Sequence, residues 1–149
     1  MSKLILNDLE ILRKISAPFT GTSDELKALI QELDEELALH PTGIGLSAIQ
    51  LGKPLRIAII RLPKRYCNLI NPRIFFQAHP RIFKRESCLS FPGIKVNTTR
   101  FKETTILNGN GMTIRSKDLL FSAALSHEID HMNGTIFLDR KVSDLEIST

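Results

Sequence analysis

The residues of this 149-residue chain that are best suited to chemistry stand in the stretch SHEIDHMNG, at positions 126–134. His127, Glu128 and His131 form the pattern HExxH there. Residues four apart lie on one face of a helix, so both histidines can bind the same metal ion. A catalytic site of this kind has three protein ligands and leaves a fourth position open for water. The identity of the third ligand therefore separates a protease from other metal-dependent hydrolases.

The residues after His131 do not favour a protease. The metzincin pattern HExxHxxGxxH fails at its last position, which is Phe137. A thermolysin-like site takes a glutamate from a later helix, but only 18 residues follow His131. Their acids are Asp139, Asp144 and Glu146. This segment is short for a helix that returns to the metal, so an HExxH endoprotease is disfavoured.

An upstream cysteine is the better candidate for the third ligand. Cys88, in ESCLSFPG, would join two imidazoles in a set that suits Zn²⁺ or Fe²⁺. His40 and His79 each precede a proline and are expected to lie in loops. Cys67 lies in an apolar, strand-like run and is expected to be a packed thiol. A disulfide between the two cysteines is not expected in a reducing compartment.

The stretch GIGLSAIQ, at 43–50, has the glycines of a nucleotide-binding loop but not its context. Gly43, Gly45 and Ala48 satisfy GxGxxA. In dinucleotide-binding proteins, that fingerprint follows a strand, and an acidic residue stands about 20 positions later. A predicted helix precedes this stretch, and the next acidic residue is Glu86. A dinucleotide-binding function is therefore excluded.

Two helices are predicted. Thr22 and Glu25 have the spacing of a capping box, at the start of an N-terminal helix over residues 23–39. A second helix over 117–132 carries HExxH, with Ser116 as its expected N-cap and an Asn-Gly pair at its end.

Strands are predicted between the helices, over 55–60, 67–76, 101–107 and 112–115, the second of them with an interruption at Pro72. The last two flank NGNG, a strong hairpin sequence. These elements predict an α+β fold in which antiparallel strands pack around a central metal-binding helix, preceded by an N-terminal helix. One catalytic domain is expected over residues 1–149.

Composition and charge limit the location and the partners. The chain is 42% hydrophobic and 24% charged, and no apolar run approaches a membrane span. Its first ten residues are not expected to be a secretory signal, because they contain no long apolar stretch. A cytoplasmic protein with no membrane contact is expected. The net charge of +4 is uneven, since residues 37–85 contain nine basic side chains and no acidic one. RNA binding by this segment is an alternative, but no interleaved aromatics support base stacking, which favours solvated loops and strand edges.

Three motifs stand in order along the chain, namely GIGLSAIQ, ESCLSFPG and SHEIDHMNG. They resemble the signatures GxGLAAxQ, EGCLS and QHExDHLxG of the peptide deformylases. The resemblance extends from about Ile11 to Arg140, and it includes INPRI and NGTIFLDR. It implies a metal-dependent hydrolase that removes the formyl group from the N-terminal formyl-methionine of nascent polypeptides.

The resemblance also implies roles for individual residues. The implied metal ligands are Cys88, His127 and His131. Glu128 would be the general acid/base that acts on a metal-bound water, whose pKa a metal can lower from 15.7 to about 7. Gln50 and the backbone N–H of Leu89 would form the oxyanion hole.

The substrate would bind extended, with its methionine side chain in an apolar pocket beside the His127 ring. The implied substrate-binding residues are Gly43, Ile44, Gly45, Glu86, Leu120, Ala123 and Ala124. The last three lie on the helix surface that leads to His127, which makes the placement physically reasonable. The alternative is that they are ordinary core residues.

The cofactor implied by the resemblance is one divalent metal ion, Fe²⁺ in the cell, although Zn²⁺, Ni²⁺ or Co²⁺ also suit the ligands. The expected partners are N-formyl-methionyl nascent peptides and, transiently, the ribosome, with the protein itself a monomer. The chain is expected to be a short form, without the C-terminal helix of many bacterial members. A ribosome-docking role of that helix therefore does not carry over.

Four positions depart from the signatures: Ser47 replaces alanine, Ser87 replaces glycine, Ser126 replaces glutamine, and Met132 replaces leucine with little change in volume. A side chain at position 87 would cost on the order of 1 kcal/mol if the backbone there needs a positive φ. Glu86 is a candidate buried acid beside the site, and the resemblance implies Arg100 as its partner, with two independent surface charges as the alternative. Two other functions remain open: a metallo-amidase for a different N-acyl group, and an inactive, metal-stabilised binding module.

Overall fold

The computed structural model describes residues 2–143, which form three α-helices, six β-strands and two 3₁₀ turns. The helices are α1 (Leu9–Leu12), α2 (Ser23–Leu37) and α3 (Leu119–Met132). The strands are β1 (Gly45–Ser47), β2 (Ile57–Arg61), β3 (Tyr66–Ile70), β4 (Arg73–Glu86), β5 (Val96–Leu107) and β6 (Thr113–Ser116). The 3₁₀ turns are Ala48–Leu51 and Phe137–Arg140. Two antiparallel sheets result, in the orders β1-β2-β3 and β4-β5-β6, and the predicted α+β class is confirmed.

Helix α2 begins where the capping box predicts. The Glu25 backbone N–H donates to Thr22 Oγ1 (3.1 Å), and the Thr22 N–H donates to Glu25 Oε1 (3.1 Å). Leu33 and Leu37 are buried against the first sheet. The helix ends at Leu37, two residues before the predicted end. This difference is within the usual uncertainty of a helix terminus.

The acidic helix α2 also explains part of the uneven charge. Lys53 donates to Glu32 (2.5 Å), and Arg61 forms a two-point contact with Asp34 (2.8 and 3.0 Å). These basic residues of the segment 37–85 are therefore paired within the fold. Their pairing supports the interpretation of that segment as strand edges and loops.

The predicted strand over 67–76 is wrong as a single element, because the chain turns at Asn71. This residue has a φ of 46°, which asparagine tolerates better than most residues. Its side chain accepts a hydrogen bond from the Phe19 N–H (2.7 Å) and donates one to the Phe19 carbonyl (2.9 Å). Pro72 follows and cannot continue a ladder. The two halves therefore enter different sheets, as β3 and β4.

Strand β4 is much longer than expected and runs to Glu86. His79 lies within it, so the prediction of a loop at His79 is wrong, whereas His40 lies in the loop after α2 as expected. The hairpin predicted at NGNG joins β5 to β6, with Leu107 paired to Thr113. Cys67, expected to be packed, lies partly buried against the core.

Helix α3 lies between the two sheets. Ala58, Ile60 and Leu69 from the first sheet and Ile106 from the second form one buried cluster with its apolar face. Phe121, Leu125, Ile129 and Met132 are the members from α3 with the largest side chains. Packing on both sides fixes the helix, and with it the HExxH residues.

The N-cap of α3 is Asp118, not Ser116 as predicted. The backbone N–H of Phe121 donates to Asp118 Oδ2 (2.9 Å), while Ser116 Oγ donates to the Asp118 carbonyl (3.0 Å). The helix ends before Gly134, which has a φ of 74°. A Cβ there would lie 2.5 Å from the carbonyl oxygen of Arg13, so only glycine allows this close approach.

Candidate metal centre and active site

Three ligand atoms converge where α3 meets the loop after β4. His127 and His131 lie one turn apart on α3, and Cys88 lies two residues after the end of β4. The two histidine Nε2 atoms are 3.2 Å apart, and His131 Nε2 is 3.5 Å from Cys88 Sγ. A tetrahedral ion with bonds of about 2.1 Å to nitrogen and 2.3 Å to sulfur holds neighbouring ligands roughly 3.4–3.6 Å apart. The three donors therefore fit a single ion, and all of their ligand atoms lie within 4.8 Å of one another.

The orientation of His127 is set by Glu86. Glu86 Oε2 lies 2.7 Å from His127 Nδ1. A carboxylate only accepts hydrogen bonds, so Nδ1 carries the proton and Nε2 keeps a free lone pair for the metal. A carboxylate behind a ligating imidazole fixes both its tautomer and its ring orientation.

Glu86 belongs to a buried network of charges. Arg100 makes a two-point contact with Glu86, from Nε to Oε1 (2.9 Å) and from Nη2 to Oε2 (2.7 Å). Arg100 Nη1 also donates to Asp130 Oδ2 (2.8 Å), and Asp130 binds Arg140 on its outer side (2.9 Å). The predicted pair of Glu86 and Arg100 is thus confirmed. The network ties β4 and β5 to α3 directly behind the metal site.

The pKa values of the network follow from burial and pairing. Burial raises the pKa of Glu86, but the hydrogen bonds from His127 and Arg100 outweigh it and lower that pKa to about 2. Burial and the positive charges nearby lower the pKa of His131 well below its usual value, so its imidazole is neutral. Burial opposes charge on His127 too, yet its hydrogen bonds with Cys88 and Glu86 raise its pKa well above the usual value. A proton and a metal ion therefore compete for His127 Nε2.

Replacing Arg100 with methionine is expected to lower the free energy of unfolding by about 3 kcal/mol, because two carboxylates stay buried after their shared cation is lost. Urea unfolding of the protein measures this loss. The control is Arg81→Met, on the residue that pairs with Arg100 across β4 and β5 but is exposed. The control should change stability by no more than about 0.5 kcal/mol. Equal effects of the two changes would contradict the prediction.

Glu128 is buried beside the metal ligands, with 3% of its surface exposed. Ser47 Oγ lies 3.0 Å from Glu128 Oε1. Burial raises the pKa of Glu128, although the charge of His127 opposes this. A carboxyl group with a raised pKa is better matched to taking up and returning a proton near neutral pH.

Gln50 lies in the 3₁₀ turn after β1 and is almost fully buried. Its Oε1 accepts a hydrogen bond from the Ser47 N–H (3.0 Å), which fixes the orientation of the amide. Its Nε2 lies 3.0 Å from Ser90 Oγ and 3.6 Å from Cys88 Sγ. The amide N–H₂ group thus lies beside the sulfur of the ligand Cys88.

A cleft of about 600 Å³ opens in front of these groups. Its walls include every residue for which the sequence predicts substrate binding, namely Gly43, Ile44, Gly45, Glu86, Leu120, Ala123 and Ala124. Gln50, Cys88, Leu89, His127 and Glu128 line it as well. His131 is buried behind the cleft. The structure therefore brings the predicted residues together, and their individual roles remain predictions.

Other parts of the cleft wall carry no sequence signal. Ser2, Leu4 and Leu6, from the N-terminal segment, form one side. Backbone hydrogen bonds hold this segment in place, from the Ile5 N–H to the Gln50 carbonyl (2.8 Å) and from the Asn7 N–H to the Ser90 carbonyl (2.8 Å). Backbone hydrogen bonds do not depend on side-chain identity, so no sequence motif identifies these residues as part of the cleft.

Ser87 and Ser126, which depart from the family signatures, are both accommodated by their surroundings. Near the metal ligand Cys88, the residue with a left-handed backbone conformation is Arg85, which has a φ of 58°. Ser87 does not have a positive φ, so the backbone strain considered for it does not arise. Ser126 Oγ accepts a hydrogen bond from Gln77 Nε2 (2.9 Å), which reaches across from β4. Asp144 and Glu146, considered above as protease ligands, lie outside the described residues. Asp139 binds Arg13 (2.9 Å) instead of the metal site.

A buried cysteine–histidine–histidine centre, a buried glutamate beside it and a cleft in front of both define a metal-dependent hydrolase. Comparison with known proteins gives the family. The family model for polypeptide deformylase matches residues 1–146. The peptide deformylase of Caulobacter vibrioides is 34% identical over 142 residues, which cover 89% of this chain and 80% of that protein. The chain therefore belongs to the polypeptide deformylase family.

Solved structures agree with this assignment. The crystal structure of peptide deformylase from Thermotoga maritima matches with a TM-score of 0.84 and 28% identity, over 96% of this chain and 99% of that one. The enzyme from Legionella pneumophila also has a TM-score of 0.84, with 32% identity over 98% and 88% of the two chains. The predicted activity, metal-dependent peptide deformylation, is thereby confirmed. No helix within residues 2–143 is long and apolar enough to cross a membrane.

Proposed function

We propose that this deformylase removes the formyl group from the N-terminal formyl-methionine of nascent polypeptides, with Glu128 as general acid and base. The observation that carries the proposal is the cleft, which places an apolar wall and the buried Glu128 beside the three metal ligands. A hydrolysis of this kind needs a proton acceptor, a stabilised oxyanion and a site for the substrate side chain.

Cys88, His127 and His131 would hold the metal, and we propose Fe²⁺ in the cell, with Zn²⁺, Ni²⁺ or Co²⁺ as substitutes. A bound divalent ion supplies Lewis acidity, which activates the attacking water. The Cys88 thiolate donates negative charge and weakens that acidity relative to three imidazoles. The chain must therefore provide its own proton acceptor.

Glu128 is proposed to be that acceptor. Its carboxylate takes the proton from the water and later gives it to the leaving amine, so one group serves both steps. The burial that raises its pKa suits this double role. Proton transfer by a positioned side chain typically contributes about 10²–10⁴-fold to the rate.

The oxyanion is proposed to bind between Gln50 Nε2 and the N–H of Leu89. Support for Gln50 comes from the two hydrogen bonds that hold its amide, at Oε1 from the backbone of Ser47 and at Nε2 to Ser90. The second Nε2 hydrogen is directed at Cys88 Sγ (3.6 Å), and sulfur is a weaker acceptor than oxygen. It is thus available to a stronger acceptor near the metal site. One such donor is typically worth about 10²–10³-fold in rate.

The methionine side chain is proposed to lie against Ile44, Leu120, Ala123 and Ala124. Leu120 is 43% exposed although it lies on the helix that forms the core, so it is not an ordinary core residue. The two alanines leave room between Leu120 and the His127 ring. The backbone of the peptide would extend between residues 43–45 and 86–89, both of which line the cleft.

Hydrolysis of a formyl-methionyl tripeptide tests this function. The Fe²⁺ or Ni²⁺ protein, prepared without oxygen, is expected to cleave this peptide. It is expected to cleave the acetyl-methionyl analogue about 100-fold more slowly, because the proposed formyl site would have to accommodate an additional methyl group. Release of the free amine measures both reactions. Comparable rates for the two peptides would favour a general metallo-amidase, and no cleavage of either by metal-loaded protein would favour an inactive binding module.

The proposed setting is the cytoplasm, with the protein as a monomer that meets nascent peptides by transient association with the ribosome. The pairing of Lys53 and Arg61 with α2 gives no support to RNA binding through the basic segment. Access of the peptide to the cleft is sufficient for the proposed reaction.

A further inference from the structure

Strand β1 presents two residues to the Glu128 carboxylate. Gly45 and Ser47 are two positions apart, so they lie on the same face of the strand. Ser47 Oγ lies 3.0 Å from Glu128 Oε1 and 3.1 Å from the Glu128 carbonyl oxygen. A Cβ at position 45 would lie 2.7 Å from Glu128 Oε2. One oxygen of the carboxylate is therefore held by a hydroxyl, and the other occupies the space that glycine leaves.

We propose that Ser47 is a positioning residue for the reaction, which fixes the orientation of Glu128 in the cleft. The proposal rests on the proton-transfer role proposed for Glu128. It adds that the hydroxyl, rather than packing alone, fixes the plane of the carboxylate, so that one oxygen stays on Ser47 and the other stays beside Gly45. Ser47 itself does not touch the substrate in this scheme.

The contacts of Glu128 carry the argument. Among residues 2–143, Ser47 is the only residue that hydrogen-bonds its carboxylate group. The terminal torsion of a glutamate is broad and roughly two-fold, so packing alone holds it poorly. Gly45 contributes space but no polar contact. The hydroxyl bond therefore selects one orientation, with Oε1 on Ser47 and Oε2 beside Gly45 on the cleft wall.

The hydroxyl of Ser47 reaches two acceptors of the same residue, Glu128 Oε1 at 3.0 Å and the Glu128 carbonyl oxygen at 3.1 Å. It therefore contacts both the side chain and the backbone of Glu128, which holds the carboxylate in place relative to α3.

Ser47→Ala tests the proposal, and it restores the residue of the family signature. We expect kcat for the formyl-methionyl tripeptide to fall about tenfold, with KM within about twofold, because the lost hydrogen bond involves a charged group. Metal content should be unchanged. Ser47→Thr, which keeps the hydroxyl, should recover most of the loss in kcat.

The matched control is Ser122→Ala, on α3, the helix that also carries Glu128. Ser122 is also fully buried, and its hydroxyl binds the Lys102 carbonyl (2.8 Å) and Ser116 (2.7 Å), away from Glu128. This variant should lose stability to a similar extent and keep kcat. An equal loss of kcat in both variants would overturn the proposal, because it would indicate general loosening of the helix.

A double-mutant cycle and a crystal structure separate this proposal from the proposed function. In a Glu128→Ala background, Ser47→Ala should cause no further loss of activity, since residues that act as a unit are not additive. A crystal structure of the Ser47→Ala protein should show Glu128 in a second orientation. An active wild type and an inactive Glu128→Ala protein, with Ser47→Ala equal to wild type, would overturn the role of Ser47 alone. An active Glu128→Ala protein would overturn the underlying function instead.

Discussion

Glu128→Ala is expected to lower kcat by about 10²–10⁴-fold while the protein keeps its metal ion. The reason is that the three ligand atoms belong to Cys88, His127 and His131, whereas Glu128 lies beside them and is proposed to move protons only. Steady-state kinetics with a formyl-methionyl tripeptide measures the loss of kcat. Metal analysis after gel filtration measures retention.

Two further variants make this prediction specific. Glu128→Gln keeps the size of the side chain and removes its basicity, so it should lose nearly as much kcat as the alanine variant. Glu103→Ala removes a carboxylate of β5 whose nearest basic partner is His79 (3.8 Å), away from the cleft, and it should behave like wild type. Activity of Glu128→Ala within tenfold of wild type would contradict the assignment of this residue as the general acid and base.

Local sequence patterns were sufficient for the parts of the site that lie on one element. The spacing of His127 and His131 on a helix gives two ligands, because helical geometry alone puts residues four apart on one face. The capping box of Thr22 and Glu25 similarly locates the start of α2. Such signals depend on a few neighbouring residues, and the sequence contains all of them.

The contacts that orient the ligands depend on distant parts of the chain. Glu86 and His127 are 41 residues apart, and only the packing of β4 against α3 brings the carboxylate to Nδ1. Gln77 reaches Ser126 across a similar separation of 49 residues. No spacing rule applies to such pairs. The resemblance to a known family suggested the partner Arg100 for Glu86, but it did not suggest the bond between Ser47 and Glu128.

The wrong predictions share a different cause, which is competition between equally plausible local signals. Ser116 and Asp118 are both good N-caps, and the carboxylate of Asp118 is the one that accepts from the Phe121 N–H. The apolar run around Asn71 has the composition of one strand. It divides because the side chain of Asn71 is bound by Phe19, a partner 52 residues away.

The buried network also connects stability to function. Glu86 accepts hydrogen bonds from His127 and Arg100. Arg100 also donates to Asp130, which lies on α3 together with the two ligand histidines. Two points of α3 are therefore tied to the second sheet through one arginine. This network supports the spacing of the two ligand histidines on α3, because it fixes the ring of His127 and anchors the helix one turn from His127.

Cys88→Ala is expected to abolish metal retention and, with it, all measurable deformylase activity. Loss of a residue that only supports a ligand typically costs 10–100-fold in metal affinity, and loss of a ligand should cost more. The two remaining imidazoles would leave two positions open to water, and the negative charge of the thiolate would be gone. Metal analysis after gel filtration should find about one ion per wild-type chain and almost none in the variant.

The other cysteine provides the matched control for this experiment. Cys67 is a free thiol on β3, and burial raises its pKa to about 11, so it stays protonated and is a poor metal ligand at neutral pH. Cys67→Ala should keep the ion and the activity, with a modest loss of stability from its packing against the core. Stoichiometric metal in the Cys88→Ala protein would contradict the assignment of Cys88 as the third ligand.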